Sequence, residues 1–411
     1  MNCMENIKNI QKKDTFEEID KLSPEIERYW QVDLMKVFAM ILVIMDHSIP
    51  HADLHALGSP FWQRIAIPLF LVILGFNWSK SLEKHKIKPL RVLYSWDTYF
   101  KHKLLRFFVP FGILYGLSLI FFFISLIIPD YYRMDISYYA DPMLKIILSL
   151  PMWGPGDWFI PLLFLTVLIF PIIYKFFTKQ PYLALVTCFL LEFIWYVLIF
   201  NVRVFWANRS YVPIGVWNYY NTITILRCTP FRSLSAIGLG VWLADDHCWN
   251  SSRNIIIWIL GILSGIYLFY YTFRDFRINL FLGDYHMFHF PWSALLIMIA
   301  LNVFPKEPYG KNSRFITLLS KSTYHILMVQ IFYFSIIYNY LLPMFGDYPI
   351  WSSLGTQYYW LNYVWYYPLN LVLTFSLGSL WYQLENKFIW EQNKNLEKRR
   401  YNLLKMKGWI K

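Results

Sequence analysis

Charge and cysteine are what this sequence has little of. Only 16% of its 411 residues are Asp, Glu, Lys or Arg, against about 25% in an average soluble domain. A water-soluble globule that buried 31 Tyr, 35 Phe and 19 Trp would lack the polar chain to cover them, so the apolar surplus faces lipid. The four cysteines, Cys3, Cys188, Cys228 and Cys248, are scattered without CxxC spacing, which excludes a metal knuckle or a disulfide framework. Also missing is a basic start followed by a short apolar core and a small-residue cleavage site; the first hydrophobic span is therefore expected to stay in place. No internal repeat at a fixed period is visible, which tells against an inverted-repeat transporter. Nor does an outward loop carry an Asp-x-Asp signature for a metal-dependent glycosyltransferase.

What the chain does have is length of apolar run. With 57% apolar residues and about 20 residues needed per crossing, ten spans are expected, at 33–50, 61–79, 104–128, 158–176, 181–200, 223–243, 254–273, 286–304, 316–338 and 360–383. The fold class is then an all-α polytopic membrane helix bundle. Residues 1–32 form an N-terminal tail, 33–383 a membrane domain and 384–411 a basic C-terminal tail. The connections between spans are too short for an independent domain, so chemistry belongs inside the bundle.

The formal charge of +12 does not point to nucleic acid, because the basic residues lie between the spans. Outside the spans, Lys and Arg concentrate in the N-tail, the even-numbered loops and the C-tail, which places both termini in the cytoplasm by the positive-inside bias. Lys398, Arg399, Arg400, Lys405 and Lys407 of the tail suit contact with anionic membrane lipids.

An ionisable residue within a span costs about 2.5–3.5 kcal/mol on insertion scales, so each is a functional candidate. The first span is the richest. Lys36 and His47 stand eleven residues apart, three helical turns and about 16 Å along the axis, so they share one stripe. Asp33 lies one turn from Lys36 and can pair with it. Two blander readings stand beside this one. In the first, Lys36 snorkels to the interface and His47 caps the outer end near Pro50. In the second, His47, His51, Asp53 and His55 bind a metal, although Pro50 breaks the helical spacing that such a site would use. The third span opens with Lys103 and Arg106, neighbours able to hold a phosphate between them, but also what the positive-inside bias alone would put there. Arg64, Arg227 and Arg232 lie within spans, and Asp157, Trp158 and Glu192 fall toward the outer portion with two of them.

Taken together, Asp33, Lys36 through His47, and Lys103-Leu104-Leu105-Arg106 before Pro110 resemble the acyltransferase 3 family of integral membrane O-acyltransferases. Weaker similarities run through Pro68–Phe76, Trp158–Phe164 and Ser320–Gln330, with Leu74 and Gln330 standing where that family usually has Ser and His. The resemblance implies transfer of an acyl group, usually acetyl from acetyl-CoA as co-substrate, to a hydroxyl of a surface carbohydrate or lipid-linked glycan, with no permanently bound cofactor and no metal. The catalytic set would be His47 as general base with Asp33 and Arg64. Lys36, Lys103 and Arg106 would bind the CoA phosphates, and Trp158, Glu192, Arg227 and Arg232 the acceptor. A transporter or flippase for a polar or anionic lipid-linked substrate is the alternative, since it too needs buried Arg and Glu along an aqueous path.

Overall fold

A computed structural model describes residues 29–49, 54–55, 57–127, 156–207, 222, 225–245, 253–274, 276–278, 280–281, 285–306, 311–337 and 359–390. Among these residues there is no strand, and ten helices of ten residues or more follow one another: α1 Trp30–Ser48, α2 Ala66–Leu82, α3 Lys101–Ile127, α4 Phe159–Lys179, α5 Pro181–Ala207, α6 Leu234–Leu243, α7 Arg253–Arg274, α8 Phe290–Val303, α9 Lys311–Ile336 and α10 Tyr359–Glu385. Each overlaps one expected span. Six stretches, built on α2, α3, α4, α5, α7 and α9, are long and apolar enough to cross a membrane. The fold is an all-α membrane helix bundle. The two tails expected at 1–32 and 384–411 lie almost wholly outside the described residues, as do Pro50, His51 and Asp53 of the metal reading.

Two spans differ from expectation for identifiable reasons. The helix expected over 223–243 is interrupted: residues 225–227 are helical, and α6 starts at Leu234 after a 3₁₀ turn over Pro230–Ser233, because the proline at 230 cannot donate the backbone bond that a helix interior requires. The helix expected over 286–304 begins at Phe290, and Pro291 occupies its first turn, where the missing N–H is no loss.

The helices sort by how they spend their apolar surface. All ten residues of α6 are buried; α2, α5 and α8 pack against it, and the core continues from there into α1 and α9. By contrast α3 exposes Ile113, Leu117, Ile120 and Ile124, and α5 exposes Leu183, Val186, Leu190 and Ile194. These repeat every three or four residues, a stripe that faces hydrocarbon. The closest crossing in the core is α2 on α6. A Cβ on Gly75 would meet the Ile237 carbonyl, and one on Gly240 would meet that of Val72, so only glycine permits the backbones to approach this far.

Polar bonds then set which end of each helix meets which. At one end, the start of α1 is tied to the end of α8 by Trp30 N–H to the Lys306 carbonyl (3.3 Å) and Gln31 Nε2 to the Phe304 carbonyl (3.0 Å). At the other, Asn370 of α10 donates to Ser48 Oγ (3.0 Å) and accepts from Tyr333 of α9 (2.7 Å). The last turn of α1 is thereby held against two neighbours. Buried His325 and Glu385 meet at 2.9 Å and fasten α9 to α10.

Candidate functional site

The first turn of α1 carries Asp33, which is buried. A buried carboxylate requires partners, and Lys36 and Ser320 are among them. Lys36 Nζ lies 3.3 Å from Oδ1, one turn along the same helix, and Ser320 of α9 donates to the same oxygen at 2.6 Å. Lys36 also reaches Ser320 Oγ at 3.5 Å, so carboxylate, ammonium and hydroxyl close a three-membered cluster. Lys103 of α3 stands over the Trp78 ring, 5.1 Å from its centroid, and lies within electrostatic reach of both Lys36 and Arg106. Arg106 is exposed. The three cations singled out from two distant segments therefore gather at one end of the bundle.

Three turns on, His47 occupies the last turn of α1. Its ring lies 5.7 Å from that of Phe334 of α9, so Lys36 and His47 both present themselves to α9, as their spacing requires. His47 lines a cavity of about 160 Å³ together with Arg64, Gln63, Trp158 and Tyr285. The rings of Trp158 and Tyr285 stack at 6.0 Å with an interplanar angle of 29°. Arg64 Nε lies 3.7 Å from Asp46 Oδ1, and buried Gln63 donates to the Leu42 carbonyl at 3.1 Å. An imidazole, a guanidinium and an aromatic face thus converge on one cavity. Along α1 the lining reaches from His47 back to Val43. Lys36 is not part of it, so the two residues share a face of the helix without sharing this cavity.

Glu192 and Arg232 form a separate cluster behind the aromatic pair. Glu192, fully buried in α5, accepts from the Ser235 amide at 2.9 Å and its hydroxyl at 2.7 Å. Arg232 Nε donates to the Tyr196 hydroxyl at 3.1 Å, and that hydroxyl donates to the Tyr285 carbonyl at 2.6 Å. Arg232 is thus connected to the cavity wall through two tyrosines. Arg227 is exposed, and its charge acts on Tyr196 from outside. Asp157 is buried between Gly156 and Trp158, both of which line the cavity.

Of the residues picked out in the sequence, His47, Arg64 and Trp158 meet at one cavity, Asp33, Lys36, Lys103 and Arg106 meet at the opposite end, and Glu192, Arg227 and Arg232 stand outside both. Sequence reasoning passed over Asp46, Gln63, Tyr285 and Ser320. Asp46 carried a usable signal, an acid within a span. Ser320 opens a stretch that resembles a family segment, but nothing there marks Asp33 as its partner; Tyr285 carried no signal, being an ordinary residue that matters through partners far along the chain. Gln330 is buried on the α9 face between Leu327, which lines the cavity, and Phe334, which touches His47.

The sequence profile of the acyltransferase 3 family, an acyltransferase domain, matches residues 29–380. The chain belongs to the acyltransferase 3 family. The matched acyltransferase domain starts one residue before α1 and ends within α10, so both ends of α1 and the cavity lie inside it. Membership establishes a membrane O-acyltransferase in general terms. Neither the curated proteins nor the solved structures contain a match to the chain.

Proposed function

We propose that this acyltransferase moves an acetyl group from acetyl-CoA to a hydroxyl of a surface carbohydrate or lipid-linked glycan, in the cell membrane and with both termini in the cytoplasm. The observation that carries this reading is the placement of His47 beside Arg64 and Gln63 in a cavity, three turns above Lys36 on the same face of α1. Lys36, Lys103 and Arg106 then face the cytoplasm, where an anionic CoA donor is found, and bind its phosphates by charge-assisted hydrogen bonds. Asp33 and Ser320 hold Lys36 in place.

In the cavity a neutral His47 imidazole takes the proton of the acceptor hydroxyl as its oxygen attacks the thioester carbonyl. Arg64 stabilises the negative charge that develops on the carbonyl oxygen. The C–S bond then breaks, and the leaving thiolate collects the proton from the imidazolium. The stacked Trp158–Tyr285 pair offers an apolar face to the sugar ring, with Arg227, Arg232 and Glu192 shaping the wall behind it. Because the cavity ends at Val43, the thioester arm has to part the packing between α1 and α9 to reach His47.

The test is reconstitution of the purified chain in vesicles with radiolabelled acetyl-CoA on the Lys36 side, combined with mass spectrometry of cell-surface glycans and lipids with and without the gene. Acetyl-bearing glycans that vanish without the gene, and label transferred to them in vesicles, support the reading. Movement of a lipid-linked substrate without consumption of acetyl-CoA would replace it with transport.

A further inference from the structure

A second and larger cavity, of about 340 Å³, opens at the Lys36 end of the bundle, where the ends of α2 and α6 meet the turn from α4 into α5. Its size falls in the range of small-molecule sites, about 300–1,000 Å³. All three of its connecting segments are even-numbered loops, on the side richest in Lys and Arg. The function derived above does not use it.

Its lining has a division of labour. Lys80, Lys86 and Lys179 contribute positive charge, Tyr174 and Trp242 contribute aromatic surface, and Ser79 contributes a hydroxyl. Lys80 is buried, lies 3.4 Å from Glu83, and is 5.4 Å from the centre of the Tyr29 ring just ahead of α1. Ser79 is 4% exposed, yet its Oγ has no hydrogen-bond partner among the described residues. A buried hydroxyl without a partner forgoes about 1–3 kcal/mol, which a ligand acceptor would restore. Lys175 of α4 donates to the Lys86 carbonyl at 3.0 Å and the Lys88 carbonyl at 2.9 Å, so the loop bearing Lys86 is fastened at the rim. The carboxylates of Glu83 and Asp245, also in the lining, supply acceptors for amine or hydroxyl donors. Cations for a phosphate, flat rings for a base and acceptors for its polar edge are the complement of a phosphorylated nucleoside.

The cavity also adjoins the cationic cluster. Trp78, under Lys103, meets Phe170 edge-on at 5.2 Å, and Phe170 stacks on Tyr174 at 6.4 Å. One aromatic partition therefore has Lys103 on one side and this cavity on the other. We infer that the cavity binds a phosphorylated adenosine, and, resting on the functional reading above, that this is the nucleotide end of the acyl-CoA donor, with its diphosphate left to Lys36, Lys103 and Arg106.

The experiment uses the full chain in lipid nanodiscs and measures the Kd of adenosine bisphosphate and the KM for acetyl-CoA, comparing the wild type with Lys86→Ala/Lys179→Ala. Both lysines are exposed, so the variant keeps its fold. The inference expects both constants to rise about tenfold or more on losing two charge-assisted contacts, with kcat at saturating donor within about twofold. Unchanged constants in the variant overturn it, even if acetyl transfer proceeds, and leave the functional reading intact. Displacement of the bisphosphate by phosphatidylglycerol vesicles also overturns it, in favour of a lipid headgroup. Bisphosphate binding that the variant loses, in a chain that transfers no acyl group from any acyl-CoA, upholds the nucleotide site and removes the functional reading instead.

Discussion

The two ends of α1 hold similar residues in opposite settings. At its start, Asp33 is buried and held by Ser320 at 2.6 Å and Lys36 at 3.3 Å. At its end, the acid–base pair Asp46–Arg64 is looser, at 3.7 Å, and borders a cavity that His47 also lines. Tightly bonded charge positions whatever approaches it. Charge that borders a cavity can reach a ligand bound there and is where bond-making belongs. The comparison predicts that substitutions at the cavity end act on kcat and those at the other end act on KM for the donor.

The largest effect is expected from His47→Gln, which keeps the side chain's size and polarity but removes the base. Acetyl transfer from labelled acetyl-CoA should fall by about 10²–10⁴ in kcat, with donor KM and melting temperature nearly unchanged. Arg64→Gln comes next, lowering kcat by about a hundredfold, and an accompanying rise in donor KM would blur the division between the two ends. Lys36→Ala should instead raise donor KM about tenfold while kcat stays within about twofold; Lys36→Arg should recover most of that loss, because the positive charge is what the phosphates require. Smallest is Ser320→Ala, expected to raise donor KM by about two- to threefold through slackened Lys36, read from the same initial-rate curves. If His47→Gln and Lys36→Ala changed the same constant, the two ends would have to be treated as one site.

Much of the bundle was legible because hydropathy is a local property. A run of apolar residues reports its own helix, and each of the ten expected spans meets one. What hydropathy missed were the interruption before Leu234 and the later start at Phe290, where prolines settle the matter through backbone bonding. The stripe joining Lys36 to His47 was equally legible, since helical period depends on neighbours alone. The partners were not. Ser320 lies 287 residues from Asp33, and Tyr196 meets the Tyr285 carbonyl across 89 residues; nothing in either segment marks the other. The same limit explains Glu192 and Arg232. As charges within spans they stood out in the sequence; that their hydrogen bonds run to Ser235 and Tyr196 did not. Gly75 belongs to a stretch that resembles a family motif, and its physical reason is the crossing with α6, a matter of space.

The lengths of α6 and α8 have a consequence for passage across the bilayer. Ten and fourteen residues give about 15 and 21 Å of helix, against a hydrocarbon layer of about 30 Å. Both helices finish at the level of Lys36, so both begin well short of the far leaflet's surface, close to the depth of His47. Because α6 is wholly buried, what lies beyond its start is other protein and not lipid. On the functional reading proposed above, an acceptor arriving from outside would have only part of the membrane's thickness left to cross.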